Sequence, residues 1–309
     1  MREIASDSNR QYKLFQKLAT KKYRDRYGLY LIEGENLIRE AVQNGAKIDS
    51  VIVRDDAAEK YLRADGPLAD GLLAMAGALP AGSSRTAADA EQTAGSSRPA
   101  ADAAQTGGQP EVFVLSGRLF AALALTETSQ GVLAAVRMPQ LSLANIGPDH
   151  LKPGSNVLVL DRLQDQGNIG TVIRTADAAG YKAVIALKGT ADLFAPKTVR
   201  AAAGSLFRVR LALAETEEEL LRFTRAAGKK LAAACPAGSR YYYEEDLSHD
   251  IALVLGNEGN GISGSLLEKA DVKIKIPMSG SIESLNVAAA AAILMYEAVR
   301  GRARADFDM

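Results

Sequence analysis

Three segments of the C-terminal half combine glycine with polar side chains that can bind a ligand or stabilise charge. The first, LDRLQDQGNIG at 160–170, carries Asn168 and leads into a helical pattern that contains Arg174. The two residues are separated by nearly two helical turns, so both side chains can be directed towards one cleft. An arginine there can hold a phosphate through two parallel hydrogen bonds. The alternatives are a helix cap for Asn168 and a surface ion pair with Asp177 for Arg174.

The second segment, LVLGNEGNGI at 253–262, has three glycines within six positions around Glu258. Glycine allows the backbone to approach a ligand closely and to adopt left-handed dihedral angles. A carboxylate at a tight strand exit is costly to bury unless it has a partner. Glu258 is therefore a candidate functional residue, with a solvated glutamate in an ordinary glycine-rich turn as the alternative.

The third segment, IPMSGSIESLNV at 276–287, opens the last helical pattern, which is otherwise almost entirely alanine and aliphatic. The first turn of a helix presents free N–H groups and the positive end of the helix dipole. Ser284 and Asn286 thus occupy positions where a polar ligand or a developing negative charge can be held. Helix capping is the alternative role for both.

From residue 154 onwards, predicted strands alternate with predicted helices, and the last helix spans 286–302. The strands are predicted at 157–160, 183–187, 207–213, 230–235, 252–255 and 272–276. This alternation predicts an α/β fold with a parallel sheet covered on both faces. Ligands of open α/β sheets bind at the carboxyl ends of strands, where the three segments lie. A dinucleotide-binding fold stays open, although no G-x-G-x-x-G follows the first strand.

The N-terminal half predicts a smaller α/β domain at 1–138, which a linker at 139–153 joins to a domain at 154–309. One helix is predicted over 8–27. Residues 66–109 are rich in Ala, Gly, Ser and Thr and contain a direct repeat, AGSSRTAADAEQT followed by AGSSRPAADAAQT at 81–106. This composition predicts a low-complexity surface insertion in the first domain.

Charge is balanced over the 309 residues, with 37 basic and 37 acidic side chains, but it is not evenly distributed. Residues 1–30 hold eight basic and three acidic residues, a pattern that suggests a phosphate-binding surface or, alternatively, a solvated helix face. The candidate phosphate contacts are Lys13, Lys17, Lys21, Lys22 and Arg24. Aromatic residues among them, Tyr12, Tyr23 and Tyr27, are either base-stacking or core residues, and the core is favoured.

Cysteine and histidine are scarce, and this limits the kinds of site to expect. Cys235 is the only cysteine, so no internal disulfide can form and a cytoplasmic location is expected. One cysteine and two histidines also argue against a zinc or haem site, and we expect no metal. No apolar run is long enough to span a membrane.

The order of the three segments is more specific than any one of them. N-x-G-x-x-x-R at 168–174, LVLGNEGNGIS and IPMSGSIESLNVAAAAAILMYEAVR closely resemble motifs 1, 2 and 3 of the SpoU/TrmH family of SPOUT methyltransferases, over about residues 155–302. YLIEGENLIREA at 30–41 and TETSQG at 126–131 are similar to the family's substrate-binding domain, which looks like ribosomal protein L30e.

This resemblance implies a C-terminal trefoil-knotted parallel-sheet domain and a smaller L30e-like domain. It also implies a homodimer that transfers a methyl group from S-adenosylmethionine to a ribose 2′-hydroxyl of RNA. The implied cofactor contacts are Leu255, Gly256, Gly259, Ile276, Met278, Ser284 and Leu285. The implied catalytic residues are Asn168, Arg174, Glu258, Ser284 and Asn286.

Arg174 is the residue that the family places nearest the attacking hydroxyl. A guanidinium is effectively always protonated, so we expect it to orient ribose and phosphate and to stabilise the developing alkoxide. Ribosomal RNA of the large subunit, 23S RNA, is the expected substrate. A tRNA 2′-O-methyltransferase, a non-catalytic RNA-binding ribosome-assembly factor of the same fold and a nucleotide-cofactor oxidoreductase stay open.

Overall fold

The structure is a computed structural model that describes residues 1–63, 110–147 and 151–307. The insertion predicted at 66–109, with its repeat, lies outside the described residues. The chain divides into two compact units, one of Met1–Gln16 with Glu33–Val136 and one of Lys17–Ile32 with Arg137–Met309. The domain and linker boundaries given above remain predictions.

A five-stranded sheet contains the strands of the N-terminal half in the order β1-β4-β3-β5-β2. These strands are β1 (Arg2–Ile4), β2 (Leu29–Glu33), β3 (Ile48–Arg54), β4 (Glu111–Leu115) and β5 (Val132–Arg137). The helices are α1 (Arg10–Lys17), α2 (Lys21–Tyr27), α3 (Glu35–Gln43), α4 (Ala58–Leu62) and α5 (Gly117–Ala121). β5 runs antiparallel to β3, and the pairs β1–β4 and β3–β4 are parallel.

The single helix predicted at 8–27 is wrong, because the chain breaks between α1 and α2. Thr20 is extended, with φ −107° and ψ 141°, at the start of α2. The carbonyl oxygens of Leu18 and Ala19, which lie in the break, accept hydrogen bonds from Nη1 of Arg24 at 2.7 and 2.8 Å. A side chain thus satisfies carbonyl groups at the end of a helix that would otherwise lack a partner.

A seven-stranded sheet forms the centre of the C-terminal half, in the order β10-β12-β9-β11-β6-β7-β8. Its strands are β6 (Val157–Asp161), β7 (Ala183–Leu187), β8 (Arg210–Ala214), β9 (Lys230–Ala234), β10 (Arg240–Tyr241), β11 (Ile251–Gly256) and β12 (Val272–Lys275). Every pairing is parallel, which confirms the predicted α/β class. The strand order does not define how loops thread, so the knot stays a prediction from the resemblance.

Among the residues that the structure describes, five α-helices accompany this sheet: α6 (Gln166–Ala178), α7 (Pro196–Ala202), α8 (Glu217–Ala226), α9 (Gly264–Lys269) and α10 (Val287–Phe307). The strand predicted at 207–213 begins later, because residues 205–207 form a 3₁₀ turn before β8. Strands β6 and β7 are buried along their whole length, as their continuous apolar sequences indicate. Within the described ranges, no helix has the length and apolar character needed to cross a membrane.

Helix α6 packs against α7 at Gly170, where the two backbones come close together. A Cβ atom on Gly170 would lie 2.4 Å from the carbonyl oxygen of Thr198 and 2.5 Å from Cβ of Ala201. Only glycine fits this contact. The position of α6, which carries Asn168 and Arg174, therefore depends on a side chain being absent at Gly170.

We expect Gly170→Ala to lower the free energy of unfolding by about 1–3 kcal/mol, because the added methyl group forces α6 and α7 apart. Urea denaturation measures the change. Gly264→Ala in α9 is the matched control, since no atom lies within 4 Å of its added Cβ. Equal stability of the two variants would contradict the close packing at Gly170.

Candidate active site

The loop between β6 and α6 is held by Asp165, which caps α6. Its Oδ1 accepts a hydrogen bond from the backbone N–H of Asn168 at 2.8 Å, and its Oδ2 pairs with Nζ of Lys197 at 2.7 Å. These two contacts, that of Lys197 first, lower the pKa of Asp165. The capping role considered for Asn168 is therefore filled by Asp165, and the Asn168 side chain makes other contacts.

Glu258 connects the loop after β11 to the loop after β6. Its carboxylate accepts hydrogen bonds from the backbone N–H groups of Gln164 (3.1 Å) and Asp165 (3.3 Å) and from Nδ2 of Asn168 (3.3 Å). Burial alone would raise the pKa of Glu258, but these bonds and one from its own backbone N–H outweigh burial and lower the pKa. An ionised carboxylate with this many donors suits the positioning of loops better than the removal of a proton.

Asn286 connects the same group to the last helix. Its Nδ2 donates to Oδ1 of Asn168 at 3.1 Å, while its Oδ1 accepts from the backbone N–H groups of Ala288 (2.9 Å) and Ala289 (3.4 Å). Asn286 thus caps α10 and contacts Asn168 at once. The three segments singled out in the sequence meet through one chain of side chains, Glu258–Asn168–Asn286.

The loop after β11 is closed by contacts that sequence reasoning missed. Asn257 and Gly261 exchange two backbone hydrogen bonds, and the Asn257 side chain donates to the carbonyl oxygen of Arg162 at 2.8 Å. A Cβ on Gly256 would lie 2.3 Å from the backbone of Gly261. Asp161, fully buried at the end of β6, accepts the N–H of Ser263 at 2.7 Å. The tendency of asparagine to bond nearby backbone groups was the available sequence signal for Asn257.

A cleft of about 790 Å³ opens beside this chain of side chains. All seven predicted cofactor residues line it, as do Glu258 and Asn286. The apolar part of its lining includes Leu255, Ile274, Leu285 and Leu294. The backbone of residues 277–285 makes no hydrogen bond to any described part of the protein. A cleft of this volume that combines apolar side chains with convergent polar groups is typical of a small-molecule site.

Arg174 is exposed on α6 and makes no hydrogen bond to Glu258, Asn168 or Asn286. The surface ion pair considered for it does not form, and Asp177 pairs instead with Nε of Arg208 at 2.8 Å. Among the described residues Arg174 has no hydrogen bond and no ion pair. Its guanidinium is free to bind an anion from outside the chain.

The predicted phosphate contacts divide into exposed and buried residues. Lys13, Lys17, Lys21 and Lys22 are exposed, and Lys17 lies over the ring of Tyr23, 5.3 Å from the centroid. The prediction that Arg24 contacts a phosphate is wrong, because its side chain is buried.

Arg24 is only 4% exposed, and Nε and Nη2 of its guanidinium bind the Asp192 carboxylate at 3.0 and 2.5 Å. Its charge is already neutralised inside the protein, so it is unavailable to a phosphate. Tyr12 is a core residue, as favoured, and its hydroxyl donates to the carbonyl oxygen of Leu119 at 3.1 Å.

Comparison with known proteins identifies the class to which this site belongs. Residues 155–296 match the SpoU rRNA Methylase family, and residues 9–73 match the MRM3-like substrate binding domain. The 23S rRNA (guanosine(2553)-2′-O)-methyltransferase RlmP of Bacillus subtilis is 36% identical over 299 residues, 96% of this chain and 98% of the relative. The chain belongs to the SpoU rRNA methylase family.

Several solved structures are similar to nearly the whole chain, among them two with bound AdoMet. The AdoMet-bound rRNA methyltransferase from Sinorhizobium meliloti matches with a TM-score of 0.76 and 29% identity, over 96% of this chain and 97% of that one. The SpoU methyltransferase AviRb from Streptomyces viridochromogenes, in complex with AdoMet, matches with a TM-score of 0.74 and 27% identity, over 95% and 98%. The predicted SPOUT methyltransferase fold is thereby confirmed.

The lowered pKa of Glu258 gives a pH dependence of stability. A carboxylate with a depressed pKa in the folded state stabilises the fold fully above its unfolded pKa, ordinarily 4.5, and loses that contribution as pH falls through the folded pKa. Relative to Glu258→Gln, the wild type should therefore be more stable near neutral pH, and the difference should shrink below about pH 4.5. Urea denaturation across pH 3–7 measures it, and a difference independent of pH would contradict the assignment.

Proposed function

We propose that this protein transfers a methyl group from S-adenosylmethionine to a ribose 2′-hydroxyl of 23S ribosomal RNA. One observation carries the proposal: the Glu258–Asn168–Asn286 chain borders a cleft lined by every residue expected to contact the cofactor. Family membership and the similarity to AdoMet-bound methyltransferases support it. The name of the Bacillus subtilis relative supports ribosomal RNA as the substrate.

The cleft fits the cofactor by its chemistry. Leu255, Leu285 and Leu294 offer apolar surface to a purine ring, and the unpaired backbone of 277–285 offers N–H donors and carbonyl acceptors to its polar edges. We assign Gly256, Gly259, Ile276, Met278 and Ser284 to the same cleft as cofactor contacts. When bound there, S-adenosylmethionine supplies an electrophilic methyl group.

The chain's own residues then orient the substrate. Arg174, which has no partner within the described residues, holds an RNA phosphate and stabilises negative charge as it develops on the 2′-oxygen. Ser284 and Asn286 stand at the start of α10, where its dipole favours the same charge. Glu258 and Asn168 hold the loops in register. The hydroxyl proton leaves to a phosphate oxygen or to water.

RNA affinity is assigned to the N-terminal half. We propose that Lys13, Lys17, Lys21 and Lys22 contact phosphates, since they are exposed and lie close together in the sequence. Residues 1–138, 139–153 and 154–309 are proposed as substrate-binding domain, linker and methyltransferase domain.

We also propose a cytoplasmic homodimer as the active form. Tyr296, a large side chain on α10 that is 50% exposed, supports a contact between two copies along this helix. The single cysteine and a ribosomal substrate support the location. Light scattering on the purified protein measures the oligomeric state.

The proposed activity is tested by transfer of labelled methyl groups to ribosomal RNA and, separately, to tRNA. We expect labelled 2′-O-methylribose in 23S RNA only. In thermal unfolding, S-adenosylmethionine should raise the melting temperature and NAD should not, because only a ligand of the folded state stabilises it. Labelled tRNA would correct the substrate, and cofactor binding without transfer to either RNA would favour a non-catalytic assembly factor.

Arg174→Ala should lower the rate of methyl transfer by about 100-fold or more, because a charge-stabilising donor in the transition state is lost. Cofactor affinity, measured by calorimetry, should be unchanged. Arg222→Ala, at an exposed arginine of α8, is the matched control and should keep full activity. Loss of cofactor affinity in Arg174→Ala, with unchanged RNA affinity, would contradict the substrate role.

A further inference from the structure

Three consecutive tyrosines, Tyr241, Tyr242 and Tyr243, begin at the cleft, which Tyr241 lines. Tyr241 stacks on Tyr243, with ring centroids 5.4 Å apart and planes 11° from parallel, and Tyr242 meets Tyr243 edge-on at 5.2 Å. Tyr241 is 36% exposed and Tyr243 50%. Large aromatic side chains that are stacked together and left exposed are typical of a binding surface rather than of a core.

The tyrosines are fixed in place by their surroundings. Strand β10, which carries Tyr241, pairs with β12 at the edge of the sheet, and Oε2 of Glu244 accepts the N–H of Tyr241 at 2.8 Å. Glu245, directly after the turn, bridges Arg240 (2.5 Å) before it and Lys230 (2.9 Å) of β9. The rings are thus presented in a set geometry, which lowers the entropy lost when a ligand stacks on them.

Lys275 adds a positive charge to the tyrosines. Its Nζ lies 4.8 Å from the ring centroid of Tyr241, and both residues line the cleft, whereas Tyr243 does not. Tyr241, Tyr243 and Lys275 therefore extend from the cleft wall outwards to the protein surface. Partly exposed aromatic rings next to a cation are features that bind single-stranded RNA, in which bases stack and phosphates pair with the charge.

We propose that Tyr241, Tyr243 and Lys275 form a stacking site for a nucleobase of the single-stranded RNA that reaches the cleft, beside the nucleotide to be methylated. The proposal rests on the proposed function for the identity of the ligand as RNA. A base on Tyr243 lies outside the cleft and so does not compete for the space assigned to the cofactor.

The first test uses a property of the sequence: the chain contains no tryptophan. Tyr243→Trp therefore introduces a single reporter at the site. Titration with a single-stranded RNA of about ten nucleotides should quench its emission as a base stacks on the indole. The same ribose-phosphate chain without bases should not quench it. Absence of quenching, at RNA concentrations that saturate binding measured by anisotropy, would overturn the proposal.

The second test separates stacking from other roles of the tyrosine. Tyr243→Ala should weaken RNA binding by about 5-fold or more, the range for loss of one base–aromatic stack, whereas Tyr243→Phe should bind as the wild type does. Lys275→Ala should weaken binding and reduce its salt dependence, and Lys269→Ala, an exposed lysine of α9, should change neither. Weakened binding by Tyr243→Phe would assign the effect to the hydroxyl group and contradict stacking.

Cofactor affinity decides between the two possible occupants of the site. Calorimetry should give wild-type affinity for S-adenosylmethionine in Tyr243→Ala; a selective loss there would assign the tyrosines to the cofactor and overturn the proposal. If the wild type methylates ribosomal RNA but the tyrosine variants bind it normally, the inference fails and the proposed function stands. If the wild type methylates no RNA, the proposed function fails, while quenching still decides the stacking site.

Discussion

The candidate site depends on one carboxylate, that of Glu258, and on the amide groups that it brings together. The loop after β6, the loop after β11 and the segment before α10 each contribute a polar group to the site. Without Glu258, these groups could bind water instead of one another. Glu258 accepts hydrogen bonds from the loop after β6 and from the Asn168 side chain. Asn168 in turn accepts a hydrogen bond from Asn286, at the start of α10. Because a carboxylate has several acceptor positions, one residue can hold two backbone groups and one amide at the same time.

The parallel sheet makes this meeting possible. Strands β6 and β11 are neighbours with Leu160 opposite Leu255 and Asp161 opposite Gly256, so the loops that follow them leave the sheet at the same level. Two hydrogen bonds then join the segments that follow these strands. Asp161 accepts one from the N–H of Ser263, and the Asn257 side chain donates one to the Arg162 carbonyl oxygen. The loops are therefore braced by the sheet and by one another before any ligand binds. Such preorganisation reduces the reorganisation needed during the reaction.

The residue patterns predicted the elements better than the contacts between them. Continuous apolar runs separated by helical patterns are sufficient to predict a parallel sheet, and residue type singles out Glu258, Asn168 and Asn286 as candidates. The Asn168–Glu258 and Asn168–Asn286 hydrogen bonds join residues 90 and 118 positions apart in sequence. These contacts depend on the order of the strands in the sheet, which hydrophobic periodicity does not predict. For Arg24, residue type leads to the wrong prediction. A charged residue in a basic segment suggests exposure, and only the distant partner Asp192, 168 positions away, explains its burial.

The distribution of paired and unpaired cations is itself an argument about function. Arg208 and Lys197, on the surface around α6, are tied to the carboxylates of Asp177 and Asp165, whereas Arg174 on α6 has no such partner in the described part of the chain. An unpaired guanidinium makes no contact in the free enzyme that a substrate phosphate must break. In the role proposed for Arg174, its interaction with a substrate phosphate forms only when RNA is bound and strengthens as charge develops on the ribose oxygen. Binding energy used in this way lowers the barrier to reaction instead of stabilising the free protein.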